Sequence, residues 1–109
     1  MNPGAGNVRT ADFKKQLAAL PERIQDAACE AFEAFKNDPF EPTLENHGLS
    51  DSKKGRHRKG SRAVSVTRRY RAIYVEDDNQ RFVPSLPKRV NVWYWIGSHE
   101  DYNNFIGSK

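Results

Sequence analysis

Residues 63–76 read AVSVTRRYRAIYVE. Val64 and Val66 alternate with Ser65 and Thr67, which is the period of a strand with one buried face, and the β-branched residues favour it. Arg68 and Arg69 interrupt the alternation. The pattern resumes from Tyr70 to Glu76, so Ala63–Arg68 and Tyr70–Glu76 read as two strands joined by a tight turn. Asp77, Asp78 and Asn79 break the second strand. A third strand follows at Val90–Gly97, VNVWYWIG, with Trp93 and Trp95 expected on one face and Val92, Tyr94 and Ile96 on the other. Between them, FVPSLPKR carries two prolines, which exclude a regular central strand, so residues 80–89 read as a long hairpin tip. Three strands in this order make an antiparallel meander.

The N-terminal half has a different period. Thr10 is placed to cap a helix in which Phe13, Leu17 and Leu20 recur at i, i+4 and i+7. Pro21 ends it and suits the first position of the next helix. There Ile24, Ala28, Ala31, Phe32 and Phe35 form one stripe, with Glu22, Asp26, Glu30 and Glu33 mostly off it. Asn37, Asp38 and Pro39 stop this second helix. Val8-Arg9 can form a short strand, a further one is possible around Leu44–Leu49, and His99–Phe105 can close the chain as a turn or short helix. The expected fold is α+β: an N-terminal helical hairpin packed on a small twisted antiparallel sheet.

A length of 109 residues makes residues 1–109 one domain, with the Gly/Pro-rich residues 1–7 expected to fray. The single cysteine, Cys29, excludes an internal disulfide and argues for a reducing compartment; its helical setting suggests plain packing. No apolar run approaches the roughly 18 residues of a membrane span, and no signal peptide is visible. A cytoplasmic location and no membrane partner are expected.

Charge is the main clue to function. The net charge is +4, and nine of the 18 lysines and arginines fall in residues 53–71, KKGRHRKGSRAVSVTRRYR, with no acid among them. Such crowding destabilises a fold through self-repulsion. A phosphate backbone is the usual polyanion that offsets it, which makes Lys53, Lys54, Arg56, Arg58, Lys59, Arg62, Arg68 and Arg69 candidate RNA contacts. A solvated loop is the plainer reading of any one of them. Trp93 and Trp95 read as packing residues rather than base-stacking platforms.

RNA cleavage without a metal needs a base for the 2′-hydroxyl, cations for the phosphorane and an acid for the leaving 5′-oxygen. Histidine suits proton transfer near neutral pH, and arginine suits the phosphate. Arg71 inside its strand, His99 at the end of the last strand, His57 in the basic loop and Tyr102 are the candidate catalytic residues. Cys29, His47, His57 and His99 lack the spacing of metal ligands. No phosphate-binding glycine loop or nucleophile elbow is present either. No cofactor or metal is expected.

The helical hairpin, the basic loop, VSVTRRYRAIYVEDD and the closing VNVWYWIGSHEDYNNF together resemble the RelE/ParE superfamily of type II toxin–antitoxin toxins. The resemblance runs from Val8 to Phe105. It implies a compact ribonuclease that cleaves messenger RNA, usually on the ribosome, and a cognate acidic antitoxin as partner. It also implies that Arg71 contacts the scissile phosphate, that His99 is the general acid and that Tyr102 orients substrate. RelE has two lysines on the strand before the Tyr-Arg motif, where this chain has Ala63 and Ser65. His57, Arg58, Lys59 or Arg69 would then have to supply the missing base and cations. ParE-type members instead poison DNA gyrase without enzymatic activity, and a basic RNA-binding module without toxicity is a further alternative.

Overall fold

A computed structural model describes residues 6–50, 54–78 and 89–107. The order is β1 (Gly6–Arg9), α1 (Ala11–Ala18), α2 (Glu22–Asn37), a 3-10 turn at Pro42–Leu44, β2 (His47–Gly48), β3 (Arg62–Thr67), β4 (Tyr70–Asp78), β5 (Arg89–Ser98) and α3 (His99–Ile106). The expected hairpin tip at 80–89 lies outside the described residues except for Arg89. Gly6 and Asn7, expected to fray, belong to β1.

The helices begin where the sequence says they should. The Thr10 hydroxyl accepts the Phe13 amide at 3.1 Å, capping α1. Pro21 is the cap of α2 and not its first residue, so the helix starts one residue later than expected, at Glu22, with no side-chain cap bond. Gln25 ties the hairpin together: its amide donates to the Leu20 carbonyl at 2.9 Å, near the end of α1. The apolar stripe of α2 faces the sheet, and Ile24 and Phe35 are buried on it. Cys29 is exposed on α2, so the packing role expected for it is not what the helix gives it.

Among the described residues the sheet has five strands in the order β1-β5-β4-β3-β2. It is mixed, not antiparallel as expected, because β1 pairs with β5 in parallel from Gly6↔Val90 to Arg9↔Trp93. The reason is topological. β1 runs straight into α1, which packs on one sheet face, and the chain returns alongside only at its end, in the same direction. The Asn7 side chain fixes this register: its carbonyl oxygen accepts from Trp93 Nε1 at 3.0 Å and Asn91 Nδ2 at 3.2 Å.

The two tryptophans do not share a face. In the β4–β5 ladder Ile73 pairs with Trp95 but Tyr74 pairs with Trp93, so β5 carries one extra residue, Tyr94, at a β-bulge. The bulge reverses the alternation. Trp93 enters the helix-side core, with ring centroids 4.9 Å from Phe35, 4.6 Å from Tyr74 and 5.6 Å from Phe32. Trp95 turns to the opposite face and forms a second core with Ala63, Ile73 and Tyr102 of α3.

Phe35 is 2% exposed and meets both Tyr74 and Trp93 edge-on. Phe35→Ala should lower the unfolding free energy by about 3–5 kcal/mol. Urea denaturation with an unchanged slope would show it, and a loss under about 1 kcal/mol would mean that Trp93 is not held from α2 as described.

Candidate functional site

Strand register places the candidate residues. Ser65 pairs with Arg71, and Arg71 with Gly97. Two residues along, His47 pairs with Ala63, Ala63 with Ile73, and Ile73 with Trp95. Because side chains alternate along a strand, both rows lie on the sheet face away from α2. Gly97 leaves its place to the Trp95 indole, which would lie within 2.8 Å of any Cβ there. α3 covers part of this face through buried Tyr102.

Arg71 is held by the β3–β4 turn. Its Nη1 donates to the carbonyls of Thr67 at 2.7 Å, Arg68 at 3.1 Å and Tyr70 at 3.1 Å. His99 begins α3, whose cap is Ser98 accepting the Asp101 amide at 3.1 Å. The His99 backbone amide donates to the Arg69 carbonyl at 2.6 Å, so His99 and Arg71 are anchored on the same turn. The His99 ring is exposed, its Nδ1 is 3.5 Å from Asn103 Nδ2, and its centroid is 5.9 Å from that of Tyr102.

The Tyr102 hydroxyl lies 3.2 Å from His47 Nε2, and His47 Nδ1 lies 2.8 Å from the Glu45 carbonyl oxygen. A carbonyl only accepts, so Nδ1 carries a proton; in the neutral ring Nε2 is then the acceptor and Tyr102 donates to it. Burial pushes the Tyr102 hydroxyl above its usual pKa, partly opposed by the Arg71 charge. Glu45 itself has a left-handed backbone, φ 50, and its Oε1 accepts from the Ser65 hydroxyl at 2.6 Å. A non-glycine residue in that region is uncommon, and such strain concentrates at functional positions.

Arg71, His99 and Tyr102 therefore come together, and His57 does not join them. Its Nε2 is 2.8 Å from the Ser50 carbonyl oxygen, and its ring packs beside Gly55 near the end of α3. Lys54, Arg56, Arg58 and Lys59 are exposed in the loop before β3, and Arg68 and Arg69 are exposed in the β3–β4 turn. Arg62 points to the other side of the sheet, with its guanidinium 5.3 Å from the Phe40 ring centroid and its Nε donating to Asn46 at 2.8 Å. Lys53 lies outside the described residues.

Sequence pattern alone marks His47 only as a possible metal ligand and gives Glu45 no role. Both become visible only when the strand expected around Leu44–Leu49 is paired with β3. His47 then faces Ala63, and Glu45 reaches Ser65. Those are the two positions at which the resemblance placed lysines. Among the described residues no three His, Cys, Asp or Glu side chains gather to hold a metal ion. A cleft of about 520 Å3 opens between α1, the end of β5 and α3, with Arg56, Tyr70, Gly97 and Asp101 among its lining residues.

The chain matches no protein-family model and no curated protein sequence. Its fold is that of toxins from toxin–antitoxin systems. It resembles the crystal structure of YafQ from E. coli strain BL21(DE3), with a TM-score of 0.63 and 16% identity over 90% of this chain and 97% of that one. The YoeB/ParE toxin from Agrobacterium tumefaciens aligns with a TM-score of 0.59 and 12% identity, over 86% and 98% of the two chains. A chain of the E. coli DinJ–YafQ toxin–antitoxin complex aligns with a TM-score of 0.62 and 15% identity, over 90% of this chain and 96% of that one.

The Tyr102 geometry gives a pH dependence with a definite sign. A phenol whose pKa is raised by folding contributes stability that is complete below its unfolded value of 10.0 and is lost as pH rises through the folded value. Stability of the native chain should therefore fall more steeply above about pH 10 than that of Tyr102→Phe. Denaturation curves of both proteins across that range measure the difference. Parallel curves would show that Tyr102 is not buried as a neutral donor.

Proposed function

We propose that this chain is a metal-independent endoribonuclease, the toxin of a type II toxin–antitoxin system, which cleaves messenger RNA on the ribosome in the cytoplasm. The observation that carries the reading is the pairing of His47 with Ala63 and of Glu45 with Ser65. The strand lacks the family's lysines, and titratable groups from β2 and the turn before it stand at the same two positions.

Arg71 takes the scissile phosphate. Its guanidinium is fixed by three carbonyls and keeps its positive charge for the phosphorane oxygens. The Tyr102 hydroxyl accepts the 2′-hydroxyl proton while passing its own to Nε2 of the exposed His47, so the base acts through the phenol. His99, exposed at the start of α3, protonates the leaving 5′-oxygen. Glu45 orders Ser65 beside Arg71. The exposed Lys54, Arg56, Arg58, Lys59, Arg68 and Arg69 bind the flanking phosphates and ribosomal RNA. We take the neutralising partner to be an acidic antitoxin, a reading supported by the antitoxin-bound form of YafQ.

Each role predicts a defect. His99→Gln and His47→Gln should slow cleavage by about 10²–10⁴-fold, because glutamine hydrogen-bonds but transfers no proton. Arg71→Ala should cost about 10²–10³-fold. All three should abolish growth arrest on induction while the variants remain folded and still bind the antitoxin. If His99→Gln still arrests growth, leaves messenger RNA whole and produces DNA breaks, the chain is a gyrase poison and the ribonuclease reading is wrong.

A further inference from the structure

The arginines of the loop before β3 are fixed in an unusual way. The Arg58 guanidinium lies over the Tyr94 ring, 4.7 Å from its centroid, and that of Arg56 lies over Phe105 at 5.6 Å. Neither is paired with a carboxylate among the described residues, and both stay exposed. The backbone beneath them is also tied down. The Arg58 amide donates to the Tyr94 hydroxyl at 2.8 Å, and the Arg56 amide donates to the Phe105 carbonyl at 2.7 Å. The Tyr94 hydroxyl lies 2.5 Å from the Ser61 hydroxyl, which is buried. Either hydroxyl can donate in this pair, and both arrangements leave the Tyr94 oxygen free to accept from the Arg58 amide. At the far end Gly55 and Gly107 allow the loop to meet the end of α3. A Cβ on Gly55 would lie 2.7 Å from the Ile106 carbonyl oxygen, and one on Gly107 would lie 2.8 Å from the Gly55 nitrogen.

A carboxylate partner would fix an arginine and cancel its charge. An aromatic ring fixes the guanidinium plane and leaves both the charge and the N–H edges for an anion. Tyr94 is also the extra residue of the β5 bulge, which puts it on the same side as Trp95 and next to Phe105, at a ring centroid distance of 6.3 Å. Its hydroxyl thus reaches the loop only because the ladder slips there.

We propose that Tyr94 is a positioning residue for RNA binding. Its ring and hydroxyl hold Arg56–Arg58 in the conformation that contacts the phosphates of a single-stranded RNA beside the Arg71 site. The nature of the ligand rests on the ribonuclease reading; the latch itself does not. A loop that visits its binding conformation only part of the time weakens apparent affinity by that fraction.

The test compares the full chain with Tyr94→Phe, which keeps the ring and removes the hydroxyl. The ligand is a short single-stranded RNA made uncleavable by 2′-O-methylation. Backbone hydrogen exchange reads the latch without RNA. The expected results are faster exchange at the Arg58 amide, an unchanged melting temperature within a few degrees, and an apparent Kd about tenfold weaker. The salt dependence of binding should also flatten by about one phosphate contact, which general destabilisation would not cause. Ser61→Ala, which removes only the outer partner of the chain of hydroxyls, should give a smaller change in the same direction. Unchanged exchange at Arg58 overturns the latch. Faster exchange with unchanged affinity and salt slope overturns the positioning role and leaves the ribonuclease reading standing. A native chain that binds no RNA at low salt overturns that reading, and with it the ligand proposed here.

Discussion

One slipped residue organises this molecule. The β5 strand alternates apolar residues without a break, yet at Tyr94 its ladder with β4 advances by one. Without the bulge Trp93 and Trp95 would share a single face, and the other would carry Val92, Tyr94 and Ile96, so one indole could not serve each core. With it, Trp93 anchors the helical hairpin, and Trp95 anchors Tyr102 and Phe105 of α3, with the Phe105 ring stacked at 5.2 Å. A sheet of this size thereby builds two cores. The second, smaller one carries Tyr102, the residue proposed to join the reaction.

That smaller core explains how the site is made rigid without losing charge. The arginines are held by groups that do not neutralise them: Arg71 by backbone carbonyls, and Arg58 and Arg56 by aromatic rings. The acids of α2 lie away from this face, on the helix that covers the opposite one. Tyr102 joins the two halves of the arrangement. Its ring packs into the second core and its hydroxyl meets His47. Burial keeps it neutral, and a neutral phenol is the state that can donate to an imidazole.

Much of this was legible in the sequence because it is written in local periods. The α2 stripe, the Thr10 cap, the tight turn at Arg68-Arg69 and the strands around it all follow from residues a few positions apart. Arg71 and His99 stood out because a charge inside a strand and a histidine at a strand end are odd locally. What stayed hidden is non-local. The pairing of the short strand His47–Gly48 with β3 depends on the path of a loop, and with it went His47 and Glu45. The parallel placement of β1 spans almost the whole chain. The bulge leaves no trace in VWYWIG, whose alternation is regular. Arg62 and His57 belonged to the basic stretch by composition, but strand alternation sends Arg62 to the other face, and His57 turns to the Ser50 carbonyl.

The proposed reaction takes a proton from a ribose 2′-hydroxyl without the help of a metal. The most direct measurement is single-turnover cleavage, in the presence of a chelator, of an RNA that carries either a free or a methylated 2′-oxygen at the mapped cut position. The first RNA should be cleaved to a 2′,3′-cyclic phosphate end, and the second should not be cleaved at that position. Equal cleavage of both, or cleavage abolished by the chelator, would contradict this mechanism.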